Sequence, residues 1–173
     1  MGCQQSSPLF GRPAVNMVAL YANTIATAVM VGVIWFVQVV HYPLLAQFGS
    51  TQSVAVAEQH QTRTGYVVGL PMLVEGLSTL WLLARTPAGV AVWLPWANAV
   101  LLAVALGSTV LLSVPLHSKM AVAHNDETGR RLVVTNWPRT IAWTARLALC
   151  GVMLAQVQLP ISSSTSFELF DQL

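Results

Sequence analysis

The sequence predicts an all-α polytopic membrane protein, built as an antiparallel four-helix transmembrane bundle. Hydrophobic residues make up 55% of the 173 residues and charged residues only 8%, whereas about 25% is usual for a soluble domain. The few charges are also unevenly placed. Residues 13–57, 86–118 and 147–167 contain no Asp, Glu, Lys or Arg, and residues 64–84 contain only Glu75.

Each of these four stretches is long enough to cross a bilayer, because a spanning helix needs roughly 20 mostly apolar residues. Helices are favoured because the bilayer interior offers no water to unpaired backbone groups. The stretches also lack the alternation of apolar and polar residues that β-barrel strands show. We expect one transmembrane domain over residues 1–173, with spans near residues 15–42, 63–84, 90–117 and 139–159.

The ends of the expected spans are marked by polar residues and turn formers. The first span ends at His41, and a polar connection leads from there to Arg63. A tight turn at residues 85–89, with Pro87 and Gly89, makes the second and third spans antiparallel neighbours. The third span ends near His117. The fourth begins after Pro138, which places Arg139 in its first turn.

Composition also argues against several other classes of protein. The first apolar run is much longer than the core of a signal peptide, so we expect it to be retained. A net charge of +2 is too small to indicate a nucleic-acid partner. Cys3 and Cys150 are far apart and form neither a disulfide framework nor a metal motif. We therefore expect a multi-pass protein of the cell membrane, surrounded by membrane lipid.

Glu75 is the most informative residue, because a carboxylate inside a span is a functional-site candidate by default. Helical rise places it about 18 Å beyond Arg63, close to the middle of a core about 30 Å thick. Arg146 lies about 10 Å deeper than Arg139 by the same rise and can reach toward Glu75. One hypothesis makes Glu75 a catalytic acid or base. The alternative is an ion pair that only ties the second and fourth spans together.

Further polar residues are expected to surround a funnel that opens at one membrane face. On the fourth span, Asn136, Arg139, Trp143 and Arg146 recur at intervals of three and four residues and share one helical face. Thr109, Ser113 and His117 on the third span can face the same interior. Charge-assisted hydrogen bonds suit these residues to the head of a bound amphiphile. The predicted substrate-binding residues are Arg139, Arg146, Asn136, Trp143, Arg63 and His60.

His41 and His117 each follow a long apolar run and so lie near the expected membrane interface. In one interpretation they only meet lipid headgroups. In another they are the two axial ligands of a non-covalent haem b, since the chain has no covalent attachment motif. A metal site of two histidines and one carboxylate is disfavoured, because Glu75 lies well over 10 Å deeper than either histidine.

Three segments resemble small bacterial integral membrane proteins of no assigned function. They are residues 35–44 (WFVQVVHYPL), 71–75 (PMLVE) and 136–146 (NWPRTIAWTAR). The resemblance covers most of the spanning region and implies four spans. It implies no activity, cofactor or substrate.

Three functions remain open from the sequence. The first is a protein that binds or transforms a lipid-soluble amphiphile such as a quinone, an isoprenoid or an acyl compound, with Glu75 as the catalytic group. The second is an electron carrier that holds haem between His41 and His117. The third is an accessory subunit or assembly factor of a larger membrane complex.

Overall fold

The computed structural model describes residues 12–45, 50–109, 111 and 126–158, and every regular element in these ranges is helical. The chain runs through α1, one π-helical turn, and then α2, α3, α4 and α5. Their bounds are Arg12–Phe36, Val37–His41 (the π turn), Tyr42–Leu45, Ser50–Ala84, Trp93–Ser108 and Asp126–Gln158. The prediction of an all-α bundle is confirmed.

Three helical stretches are long and apolar enough to cross a membrane: Pro13–Leu44, Thr62–Ala84 and Val133–Gln158. They agree with the first, second and fourth predicted spans. The third, α4, is apolar but has only 16 described residues. The predicted end of that span, at residue 117, lies outside the described residues.

The helix that carries the fourth span begins earlier than expected. Helix α5 begins at Asp126 and continues through Pro138, so Arg139 lies well inside the helix and not in its first turn.

The four long helices form a closed ring. Helix α1 packs against α3 and α5, and α4 packs against the same two helices. This leaves α1 opposite α4, and α3 opposite α5. Buried positions recur alternately at three and four residues along α1 and α5, the spacing of left-handed helical bundles. On α1 these positions are Leu20, Asn23, Thr27, Met30, Ile34 and Val37, and on α5 they are Asn136, Arg139, Trp143, Arg146, Cys150 and Met153.

Apolar and polar layers alternate along the bundle axis. The first apolar layer is built around Leu20, Leu94 and Met153, near the turn between α3 and α4. A second lies around Met30, Ala105 and Trp143. Between the two apolar layers lies a polar layer that we call the central layer, and beyond the second lies another that we call the end layer. Their members are given below.

The outer surface of the bundle is apolar. On α3 the exposed side chains include Leu70, Leu73, Leu77 and Leu80, each more than half exposed. Glu75, on the same helix, is fully buried. Polar groups inside and leucines outside suit a bilayer, because hydrocarbon solvates the leucines and the protein must satisfy the polar groups.

The π-helical turn lies just before Pro43. The N–H of Tyr42 donates to the carbonyl of Val37, five residues earlier, which widens the helix here. A proline has no N–H to donate and its ring clashes with the carbonyl four residues before it, so a wider turn accommodates it. Single π turns are frequent at functional sites.

Exposed aromatic side chains lie toward both ends of the bundle, as they do in membrane proteins at the two interfaces. Trp81, Trp93 and Trp96 are exposed near the turn between α3 and α4, and Tyr66 and Trp137 are exposed toward the other end. Tyr42, by contrast, is buried in the bundle. It belongs to the end layer.

The fold predicts that Gln59 and Ala88 lie on opposite sides of the membrane, because helix α3 crosses between them. Both are exposed. We expect Gln59→Cys and Ala88→Cys, each in a Cys3→Ser background, to react with an impermeant maleimide from opposite faces of sealed vesicles. The buried Cys150 supplies the unlabelled baseline. Labelling of both from the same face would exclude a single crossing by α3.

Candidate functional site

A buried ion pair lies at the centre of the bundle and joins the opposite helices α3 and α5. Nη1 of Arg146 lies 2.6 Å from Oε1 of Glu75, and both side chains are fully buried. Thr27 donates to the same oxygen at 2.8 Å, and Nε1 of Trp143 donates to Oε2 at 3.1 Å. The predicted reach of Arg146 toward Glu75 is therefore present. Both carboxylate oxygens already accept hydrogen bonds.

The central layer is completed by amide and hydroxyl groups around the ion pair. Nε of Arg146 donates to Oδ1 of Asn98 at 3.0 Å, and Nη2 donates to Oγ1 of Thr79 at 3.3 Å. Asn23 on α1 donates to Oγ1 of Thr79 and to Oγ of Ser78, each at 2.9 Å. All four long helices thus contribute: the layer consists of Asn23, Thr27, Glu75, Ser78, Thr79, Asn98, Trp143, Arg146 and Cys150.

This layer is closed. Glu75 and Arg146 have no exposed surface, and each has hydrogen-bond partners on neighbouring helices. A ligand that took a proton from Glu75 would first have to displace these partners. The geometry fits the alternative in which the pair ties helices together, and the catalytic role of Glu75 stays a prediction.

The end layer is built around Arg139 and contains no carboxylate among the described residues. Nη2 of Arg139 donates to the hydroxyl of Tyr42 at 3.2 Å and to Oδ1 of Asn136 in a short contact, and Nη1 lies 3.5 Å from Oγ1 of Thr109. Asn136 in turn donates to Oε1 of Gln38 at 2.7 Å. Arg139 is 7% exposed, and its Nε has no hydrogen-bond partner.

A groove of about 370 Å³ lies on the outer side of the π turn, between α1 and α3. Two residues with nitrogen-bearing side chains, His41 and Arg63, contribute to its lining together with Thr64. The other lining residues are Gly32, Val33, Phe36, Val37 and Val67. The groove and the end layer thus lie on different faces of the same π turn.

The predicted site residues therefore fall into three places and not one funnel. Trp143 and Arg146 belong to the central layer, Asn136 and Arg139 to the end layer, and Arg63 to the groove. His60 belongs to α3, but its side chain lies outside the described part of the structure. His117 lies outside the described residues, so the pairing of His41 and His117 around a haem stays a prediction. The assignment of Arg139, Arg146, Asn136, Trp143, Arg63 and His60 to substrate binding also stays a prediction.

Several members of the two polar layers were not predicted. Asn23 and Thr27 on α1, Gln38 in the π turn and Asn98 on α4 are uncharged, and single amides and hydroxyls are common in spans. Their spacing carried a signal, however. Asn23 and Thr27 fall on the same seam of α1 as Leu20 and Met30, which marks them as buried.

Comparisons with known proteins identify no relative: no family model matches the chain, and neither curated proteins nor solved structures give a match. The resemblance to small bacterial membrane proteins therefore stays a prediction. The function has to be argued from the site itself.

A double-mutant cycle tests the central ion pair. Glu75→Leu leaves a buried guanidinium without its counter-charge, and we expect a loss of about 3–5 kcal/mol in the free energy of unfolding. Arg146→Leu should cost a similar amount. The double variant should cost less than the sum of the two by about 0.5–3 kcal/mol, measured by denaturant unfolding in mixed micelles.

The matched control is Arg63→Leu, which removes an exposed arginine outside the central layer and should change stability little. Recovery in the double variant will be incomplete, because Oδ1 of Asn98 and Oγ1 of Thr79 lose the donor that Arg146 supplies. Strictly additive effects at Glu75 and Arg146 would mean that the two side chains do not interact.

Proposed function

We propose that this chain is a multi-pass protein of the cell membrane that binds a lipid-soluble amphiphile in the groove between α1 and α3. The observation that carries the proposal is the lining of that groove. It has aliphatic and aromatic walls on membrane-spanning helices, together with the cation of Arg63 and the imidazole of His41. Binding sites for small molecules are mostly apolar with a few placed polar groups.

The walls suit the tail of an amphiphile. Val33, Phe36 and Val67 offer only carbon to an occupant, and they lie on helices whose outer surfaces are apolar. A ligand dissolved in the bilayer therefore reaches the groove without crossing water. Quinones, isoprenoids and acyl compounds all have tails of this kind.

The polar residues suit a head that accepts hydrogen bonds. Arg63 is exposed and is not held by any carboxylate among the described residues, and Thr64 adds a hydroxyl beside it. A guanidinium binds a carboxylate or phosphate oxygen through charge-assisted hydrogen bonds and a carbonyl oxygen more weakly. The head is therefore placed at Arg63 and the tail along Val33 and Phe36.

Binding is proposed here in preference to turnover. Glu75 was the predicted catalytic residue, and its carboxylate is enclosed within the central layer, away from the residues that line the groove. The accessory-subunit function and the haem carrier have no comparable support among the described residues.

Filling the groove should remove the ligand. Gly32 lines the groove, and a Cβ at this position would meet nothing within 4 Å, so the side chain of Gly32→Leu starts in open space and adds bulk to the groove. We expect at least tenfold less of the amphiphile to co-purify with this variant. The measurement is solvent extraction of the purified protein followed by mass spectrometry.

The control is Gly151→Leu. Gly151 is also exposed and open, with nothing within 4 Å of a Cβ, and it does not line the groove. The Gly151→Leu variant should retain the wild-type amount of ligand. Equal recovery from wild type and Gly32→Leu, or no ligand in any sample, would contradict binding in the groove.

Removal of the cation tests the position of the head. Arg63→Gln keeps a polar side chain but loses the charge and shortens its reach, and we expect roughly a tenfold loss of ligand if a charge-assisted hydrogen bond is removed. Arg85→Gln changes an exposed arginine beyond the other end of α3 and is the matched control. If the ligand is retained by Arg63→Gln but lost from Gly32→Leu, the groove binds the tail and Arg63 does not bind the head.

A further inference from the structure

Helix α5 carries two buried arginines in very different surroundings. Arg146 has no exposed surface and is neutralised by Glu75 at 2.6 Å. Arg139, two turns earlier, is 7% exposed, and its hydrogen-bond acceptors among the described residues are a phenol hydroxyl, an amide oxygen and a threonine hydroxyl. All three acceptors are formally neutral.

Arginine stays protonated in proteins, so the charge of Arg139 is permanent. A buried charge carries a large desolvation cost unless an opposite charge and hydrogen bonds offset it. Among the described residues no carboxylate contacts Arg139, and its Nε has no hydrogen-bond partner. The guanidinium has more N–H donors than its three acceptors use.

We propose that Arg139 forms an anion site that takes an oxyanion of the phosphate class. Tyr42 and Asn136 both accept from Nη2 and Thr109 accepts from Nη1, which leaves Nε to donate to the anion. The anion supplies a counter-charge that no described residue gives. Its source is either free phosphate or the phosphate of a lipid headgroup.

This site is separate from the groove. Tyr42, which holds Arg139, is buried against α5, whereas His41, its neighbour in sequence, lines the groove. Arg139 does not line the groove, and Arg63 does not contact Arg139 in the described structure. The proposal of an anion site at Arg139 can therefore be tested independently of the proposal that the groove binds an amphiphile.

The test is equilibrium binding of radiolabelled inorganic phosphate to the full chain in a neutral detergent. Wild type should bind in a saturable way, and Arg139→Gln should bind at least tenfold more weakly. Arg139→Lys should fall between the two, because it keeps the charge and loses the planar donor geometry. Gly32→Leu and Arg85→Gln should bind phosphate as wild type does, which separates this result from any failure of the groove proposal.

If Arg139→Gln does not fold, a second variant tests phosphate binding at Arg139. Thr109→Asp places a carboxylate next to Nη1, where the structure has a hydroxyl at 3.5 Å. This internal counter-charge should abolish phosphate binding while the melting temperature is kept or raised. Phosphate binding that persists in Thr109→Asp would overturn the proposal.

The source of the anion is separated by a lipid arm. Nanodiscs of phosphatidylcholine, with and without phosphatidic acid, are compared for wild type and Arg139→Gln. A thermal stabilisation by phosphatidic acid that requires Arg139, without binding of free phosphate, identifies a headgroup. Binding of free phosphate that requires Arg139 identifies a soluble anion. The absence of any Arg139-dependent response in both arms would overturn the site.

Discussion

The ion pair between Glu75 and Arg146 is the constraint on which the rest of the bundle depends. Two opposite charges in the middle of a membrane-spanning bundle are tolerable only when they meet and when their remaining lone pairs and N–H groups are satisfied. Satisfying them takes donors and acceptors from all four long helices, including Thr27 on α1 and Asn98 on α4. If one helix slid or rotated, at least one buried charge or amide would lose its hydrogen-bond partner. The pair therefore fixes the register of the four helices, which apolar contacts in lipid specify only weakly.

The same closure determines where a ligand can bind. The central layer has no accessible surface at Glu75 or Arg146, so the candidate binding positions lie toward one end of the bundle, around the π turn. There the helix widens before Pro43 and sends His41 toward the groove and Tyr42 toward Arg139. Arg63 and Arg139, neither of which contacts a carboxylate among the described residues, are thus placed on either side of one local irregularity. The central layer holds the helices in place, and the end of the bundle carries the proposed binding sites.

Much of the architecture was predictable because the bilayer restricts the choices. In a charge-free stretch long enough to cross the bilayer, a helix satisfies all backbone hydrogen bonds within the segment. The expected span limits differ from the ends of the described helical stretches by a few residues in most cases. The exception was α5, where Pro138 was taken as a helix start. A proline inside a long helix costs one hydrogen bond, yet α5 continues through Pro138, which residue type alone does not reveal.

The sequence by itself determined that the protein is a helical membrane bundle with a carboxylate and an arginine deep in two spans, because hydropathy and helical rise set depth directly. It also indicated that Arg146 can reach toward Glu75, since both lie inside spans and have opposite charges. Only the tertiary structure decided that Arg139 and Arg63 belong to separate places. Depth is a one-dimensional property, whereas the direction in which a side chain points depends on the rotation of each helix and on the extra residue of the π turn. For the same reason, the uncharged hydrogen-bond partners of the buried polar residues could be identified only from the packed structure. They include Gln38, Asn98 and Thr79.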